Sequence, residues 1–421
     1  MIAYRGNIIF TPMPQHFEII PGGYILVDDG GFIQGVYTFD TYPCSSEVEV
    51  IDFGNKLLVP AMNDLHVHAP QFANMGIAMD VPLLSWLNKY TFPEEAKFAD
   101  IDYARRIYTR FVDQLILHGT MRAAVFATVH APATLLLADL FHQKGIGARI
   151  GIVAMDRNSP DNLCNTLDEA IDGTHHLHQH TQHYPLVDAI VTPRFVPSCS
   201  PEMLSALGEQ ARELSLPIQS HLCETPNEIA WVHDLYPESA SYADVYDRYG
   251  LLHHNTLMAH CVYPSEWDKT LLQRTQAMVV HCPTSNSNLG SGIAPIRQLL
   301  DAGIRITLGS DIAAGHDLNM FHVMQSAIQV SKLNFALHHR EIAALTLPEV
   351  FYMATKSGGS FFGKVGSFEL GYAFDALVID DAPINACHPD LTLEQRMERY
   401  IYMGNEQMIT QRYCQGMAIT L

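Results

Sequence analysis

Residues 63–71 read NDLHVHAPQ and set His66 and His68 two apart, after the apolar run 56–62 and before a loop. In a β-strand, residues i and i+2 project from one face, so both imidazoles would stand side by side at the strand's end. Two imidazoles aimed at one point are half of a metal site. In a chain with 22 histidines such a pair also arises by chance, so its meaning rests on how the other strands end.

Eight short β-rich runs can be picked out in the middle of the chain: LLVPAMNDLHVH, MRAAVFATVH, RIGIVAMDRN, DAIVTPRF, PIQSHLCE, TLMAHCV, AMVVHCPTSN and RITLGSD. Helix-period segments lie between them. In DYARRIYTRFVDQLILHG, Ala104, Ile107, Tyr108, Phe111, Val112 and Leu115 follow the 3/4 spacing, and Gly119 supplies a stop. In SPEMLSALGEQAREL, Ser200 suits the N-cap and Pro201 the first helical position. This alternation predicts an α/β fold, a closed (β/α)8 TIM-type barrel over residues 57–365. An open doubly wound sheet is the competitor, but no GxGxxG follows an early strand. Residues 1–56 and 366–421 carry short strands broken by Gly and Pro, up to the closing YIYMGNEQMITQRYCQGMAI. They are expected to pair into one small β-sandwich domain built from both chain termini.

Barrel sites lie at the C-terminal ends of the strands. Read in order, those ends supply His66 and His68, then Arg194 and Phe195, then His221 and Glu224, then His260, His281 and finally Asp311. Any one of these residues is ordinarily structural. Their recurrence at one end of successive strands is hard to assign to core packing. Three imidazoles and one carboxylate suit Zn²⁺ with room for a water, and a bound divalent cation brings the pKa of that water toward 7. A carboxylate off the metal, Glu224, can shuttle protons, and His260 can stabilise developing negative charge.

The remaining composition narrows the class. A formal charge of −20 with no basic stripe argues against nucleic acid as a partner. The N-terminus lacks the pattern of a secretory signal, and no apolar run approaches the ~18 residues of a membrane span. Eight scattered cysteines, from Cys44 to Cys414 and without a CxxC, suit reduced thiols in a cytoplasmic protein. The stretch THHLHQHTQH, 174–183, puts His176 and His180 on one helical face but lies on a polar segment away from any strand end, so it reads as a solvated helix or loop. The pairs His253-His254 and His338-His339 also lack strand-end context.

HVHAPQ, the stretch LLSWLNKYTFPEEAKF, and TPRF, QSHLCE, MAH, HCPTSN and GSD in that order resemble the guanine deaminases of the amidohydrolase superfamily. The second stretch carries the pattern W-L-x-x-Y-T-F-P-x-E, which sets those enzymes apart from other amidohydrolases. The resemblance runs through nearly the whole chain. It implies one zinc per subunit held by His66, His68, His221 and Asp311, with Fe²⁺ suited to the same donors. It further implies Glu224 as proton shuttle, Asp311 as acceptor of the water's proton and His260 as an aid to the attacking oxygen. Gln71 and Arg194 would bind polar edges of guanine and Phe195 would touch it. Trp86 and Phe92 are expected to wall the pocket, with packing beneath a loop as their other reading. The implied reaction is hydrolysis of guanine to xanthine and ammonia, with guanine and water as partners, in a homodimer. Asn63 and Cys261 depart from the usual pattern, Cys261 standing where Gly is common. His281 is left outside the site. Competing readings are a deaminase of another aminated heterocycle, such as 8-oxoguanine or a triazine, and a non-catalytic scaffold. The zinc deaminases with H-x-E and P-C-x-x-C are set aside because no P-C-x-x-C occurs.

Overall fold

The computed structural model describes residues 1–43, 48–338 and 340–421. Cys44 and His339 lie outside the described residues. The chain opens with β1 (Ile2–Met13), β2 (His16–Val27), β3 (Ile33–Tyr37) and β4 (Glu49–Pro60). The central strands are β5 (Met62–His68), β6 (Thr120–Phe126), β7 (Gly147–Gly151), β8 (Val153–Ala154), β9 (Val187–Ala189), β10 (Thr192–Pro193), β11 (Ile218–Leu222), β12 (Thr256–His260), β13 (Met278–His281) and β14 (Arg305–Leu308). The last three are β15 (Ala376–Ile379), β16 (Ile409–Cys414) and β17 (Met417–Ala418).

The central strands are parallel and alternate with helices, as the sequence pattern requires. They form two four-stranded sheets, β5-β6-β7-β9 and β11-β12-β13-β14, with β8 and β10 paired as a short extension. The two sheets meet at both edges. On one side the Val191 N–H donates to Pro217 O and the Gln219 N–H to Val191 O, at 2.9 and 3.0 Å. On the other, the Asp311 N–H donates to His66 O at 2.8 Å and the His68 N–H to Ile312 O at 3.0 Å. Every residue of β5 and β6 is buried, the signature of parallel strands covered on both faces.

The helices obey their local signals. Asp100 caps Ile101–Leu117 by accepting the N–H groups of Asp102 and Tyr103, and Ala104, Tyr108, Phe111, Val112 and Leu115 face the core. Gly119 ends the turn at φ +84°, where a Cβ would come within 2.7 Å of Leu377. The Ser200 hydroxyl accepts the Met203 N–H at 3.1 Å, with Pro201 in the first turn. Residues 174–183 lie mostly in the helix Leu167–Thr181, where His178 pairs with Asp188 and His180 with Asp139. Among the described residues the histidines of this segment form no three-ligand group.

The two ends of the chain join in one seven-stranded sheet, ordered β17-β16-β15-β4-β1-β2-β3. β4 takes β1 in parallel on one side and β15 antiparallel on the other. The sheet curls so that the start of β3 meets the segment just before β15, where the Ile33 N–H donates to Tyr372 O at 2.8 Å. Tyr4, Phe10, Ile25, Ile33, Phe374 and Tyr413 share the resulting core. The strand-and-turn reading of the C-terminal segment is corrected at 400–403, which belong to the helix Leu393–Met403. There Met397, Tyr400 and Ile401 recur at helical spacing and are buried, behind a Thr392–Gln395 capping box.

One buried ion pair ties this sheet to the central strands. Arg122 of β6 donates through Nε and Nη2 to Asp375 at 2.6 and 3.2 Å, and Asp375 also accepts the Gln415 N–H. Removing one partner of such a pair strands the other charge. Arg122→Ala is therefore expected to lower the unfolding free energy by about 3–5 kcal/mol, read by chemical denaturation; a loss of a few tenths would show that the pair does not hold the sheet.

At the end of β13, His281 is buried and neither ring nitrogen has a hydrogen-bond partner. Burial pushes its pKa down to about 3. Between its ordinary value of 6.5 and about 3, the unfolded chain binds a proton that the folded chain refuses. Stability present above pH 6.5 is thus lost as the pH falls, by about 1.4 kcal/mol per unit. His281→Asn should flatten that acid limb relative to wild type in urea titrations at pH 7, 6 and 5; parallel limbs would refute it.

Candidate active site

The strand ends converge as the sequence order suggested. His66 and His68 end β5, His221 sits near the end of β11, His260 ends β12, and Asp311 follows β14. His66 and His68 present Nε2 to Asp311 Oδ1 at 3.3 and 3.4 Å, and His221 Nε2 lies 3.3 Å from His68 Nε2. Candidate ligand atoms of His66, His68 and His221 all fall within 4.8 Å of one another, as do those of His66, His260 and Asp311.

The electrostatics suit a cation. Burial pushes the rings of His66, His68 and His221 below their ordinary pKa, which leaves neutral imidazoles with lone pairs. His221 Nδ1 lies 2.6 Å from Arg194 O and so carries the proton there, turning Nε2 to the centre. Burial opposes ionisation of Asp311, but the His66 ring, with His260, holds its carboxyl well below the usual range. His66 Nε2 is buried and has no hydrogen-bond partner. Three neutral nitrogens and a carboxylate, with one of those nitrogens buried and unpartnered, fit a divalent metal of the zinc type.

Behind this cluster, the Ser310 N–H and hydroxyl both donate to Asp64, whose pKa burial raises to about 7. Beside it stands Glu224. Its Oε2 lies 3.7 Å from His260 Nε2, and its Oε1 accepts the Ser291 hydroxyl at 2.8 Å. Burial raises the Glu224 pKa. For His260, burial works downward, but the carboxylates of Glu224 and Asp311 outweigh it and raise the pKa. Asn286 Oδ1, 2.9 Å from His260 Nδ1, accepts that nitrogen's proton and fixes the ring.

The backbone is bent to aim these groups. Cys223, His260, Cys261 and Asp311 all have φ between +50° and +72°, a region unfavourable to residues with a Cβ. Cys261 therefore occupies a left-handed position that a glycine would fill without strain.

Gln71, Trp86, Arg194, Phe195, Glu224 and Leu289 border a cavity of about 540 Å³, its open mouth included. Trp86 forms part of the wall, its indole N–H held by Ile77 O at 3.0 Å. Phe92 stands one layer back, its ring centre 5.0 Å from the Arg194 guanidinium carbon. The sequence reading missed Glu95, Asn286 and Ser291. Glu95 takes both Arg194 Nη1 and Nη2, at 2.6 and 3.1 Å, and the Gln71 amide at 2.9 Å. Its signal was present as the closing residue of the W-L-x-x-Y-T-F-P-x-E pattern, and that of Asn286 as the last residue of HCPTSN. Ser291 had none. His281 stands outside both ligand groups.

Compared with known proteins, residues 57–418 match the amidohydrolase family. The guanine deaminase of Dictyostelium discoideum is 37% identical over 98% of this chain and 97% of its own. That of Homo sapiens is 35% identical over 98% and 95%. A solved guanine deaminase from C. acetobutylicum, with guanine bound in its active site, superposes with a TM-score of 0.94 at 45% identity, covering 99% of each chain. The E. coli guanine deaminase superposes at 0.92 with 30% identity, over 100% of this chain and 99% of that one. With the cluster of buried histidines and Asp311 at its centre and guanine deaminases matched over almost its full length, the chain belongs to the amidohydrolase family.

Proposed function

We propose that this protein is a guanine deaminase, hydrolysing guanine to xanthine and ammonia with one zinc ion per subunit. The observation that carries the reading is the meeting, in one cavity, of His68, His221 and Asp311, with His66 against Asp311 behind them, and the donor-only wall of Arg194. An arginine can donate hydrogen bonds but not accept them, so it favours a carbonyl oxygen such as that of guanine over the amine adenine carries there. Gln71 supplies a second polar contact, and Phe195 and Trp86 apolar ones.

His66, His68, His221 and Asp311 would hold the ion, with Fe²⁺ suited to the same nitrogen and oxygen donors. When bound, the ion supplies a water that is readily ionised at neutral pH. The chain's residues manage the protons. Water adds to C2 as Asp311 takes its proton, and Glu224 gives its own to N3. His260, its Nδ1 held by Asn286, turns Nε2 toward Glu224 and Asp311 at 3.7 and 3.8 Å and steadies the negative charge that develops on the incoming oxygen. The tetrahedral carbon's hydroxyl proton then passes through Glu224 to the amine, the C–N bond breaks and ammonia leaves, and the proton held by Asp311 returns to Glu224 to restore the starting state.

The two four-stranded sheets, joined at both edges, support reading residues 57–365 as a (β/α)8 barrel. The curled terminal sheet supports reading residues 1–56 and 366–421 as the small β-sandwich domain. A homodimer rests on the resemblance alone. A cytoplasmic location rests on the unpaired cysteines and on the lack, among the described residues, of a helix able to cross a membrane.

Ammonia release from guanine, run beside adenine, cytosine and 8-oxoguanine with and without a chelator, tests this directly. Release from guanine that the chelator abolishes is expected; release from a different base alone would keep the chemistry and overturn the substrate. Glu224→Gln should retain metal and guanine binding while turnover falls about 10²- to 10⁴-fold. Near-normal turnover would remove Glu224 from proton transfer.

A further inference from the structure

We infer that Glu95 is the positioning residue that sets the base specificity of this site, by fixing which way the Gln71 amide faces and where the Arg194 guanidinium stands. The inference rests on the guanine reading above and adds a residue to which neither motif nor mechanism gave a role.

Glu95 is 3% exposed and sits in the short helix Phe92–Glu95, directly after the π-turn Leu87–Thr91. Adjacent helical residues point about 100° apart, and the two glutamates here divide accordingly. Glu94 turns outward to Lys97 and the Tyr103 hydroxyl, whereas Glu95 turns inward. Glu95 Oε2 accepts Arg194 Nη1, and its Oε1 accepts both Arg194 Nη2 and Gln71 Nε2.

Gln71 is held from its other end as well, because its Oε1 accepts the Ala313 N–H at 3.2 Å. A flipped amide would set its NH₂ against the Ala313 N–H and its oxygen against the Glu95 carboxylate, two repulsions in place of two hydrogen bonds. Gln71 therefore offers the cavity a fixed pattern. Arg194 is gripped bidentately from behind and packed over Phe92, so its remaining N–H groups are presented without the rotamer freedom of a loose arginine. A site whose polar groups are fixed this way rejects a ligand that cannot pair with them far more strongly than an adaptable one. Glu95 touches neither the ion's ligands nor the reacting carbon; it acts through its two neighbours.

The test compares guanine with 2,6-diaminopurine, which keeps the 2-amino group to be removed but replaces the 6-oxo acceptor with a donor. In Glu95→Gln, kcat/KM for guanine should fall through KM, and the preference for guanine over 2,6-diaminopurine should contract about 10- to 100-fold, with metal content unchanged. A merely structural role would lower both substrates together and leave the ratio intact, which would overturn the inference. Because Glu95→Gln leaves a buried guanidinium without its carboxylate, a second variant, Glu95→Asp, keeps the charge and withdraws it by one methylene. A narrowed ratio in that variant supports the inference, and an unchanged ratio overturns it. Equilibrium binding of both bases, followed by quenching of Trp86 in the cavity wall, separates the two layers. If wild type binds guanine but releases no ammonia, the reaction reading fails and the binding ratio still decides Glu95. If wild type binds neither base, both fail.

Discussion

His66, His68 and Asp311, all buried, and the half-buried His221 crowd round one point, with His66 and His68 within 3.4 Å of Asp311 and His221 3.3 Å from His68, a set of groups that the protein alone leaves incompletely satisfied. Much of the architecture answers to that constraint. The contributing residues come from β5, β11 and the segment after β14, which are far apart in sequence. Only parallel strands with all their C-terminal ends on one side bring them together. The bonds that join β5 to the segment after β14, Asp311 N–H to His66 O and His68 N–H to Ile312 O, are made by the backbone of the cluster's own residues. The seam between the two sheets and the candidate site are thus one piece of structure.

Within that site, two carboxyl groups of similar intrinsic acidity are driven apart by their surroundings. Asp311 faces imidazoles and is held ionised, while Glu224 is buried beside a single hydroxyl and His260 and is pushed toward its protonated form. Such a separation suits the two carboxyl groups to different roles. His260 lies between them, and Asn286 settles which of its nitrogens faces the carboxylates.

How much of this was legible depended on whether a residue's neighbours in sequence are also its neighbours in space. His66 and His68 could be read because a strand's period of two puts both on one face. Glu224 could be singled out because it follows His221 by three residues just beyond the end of β11. The Ser200 cap and the apolar stripe of Ile101–Leu117 were likewise local. Glu95 was not assigned, because a π-turn precedes it and shifts the register that decides which of two adjacent glutamates faces inward. Ser291 meets Glu224 across 67 positions, and nothing in its own surroundings marks it. Phe92 was expected in the cavity wall, yet its ring lies behind Arg194, a distinction of one layer that composition does not carry. Residues 400–403, the end of the helix Leu393–Met403, were read as strand and turn because YIYM is rich in β-favouring residues, while the capping box that starts the helix lies eight residues before it.

The placing of β4 has a consequence for the newborn chain. A ribosome delivers β1 to β4 first and β15 and β16 last, yet β15 is the strand that covers Leu57, Leu58 and Val59 of β4. Until the final strands emerge, that apolar edge has no partner of its own, and open edges of this kind recruit other chains. The period of greatest stickiness therefore spans nearly the whole of translation, whether or not the central sheets have already formed. Slowing synthesis late in the message would lengthen that exposure, whereas slowing it before β4 would not.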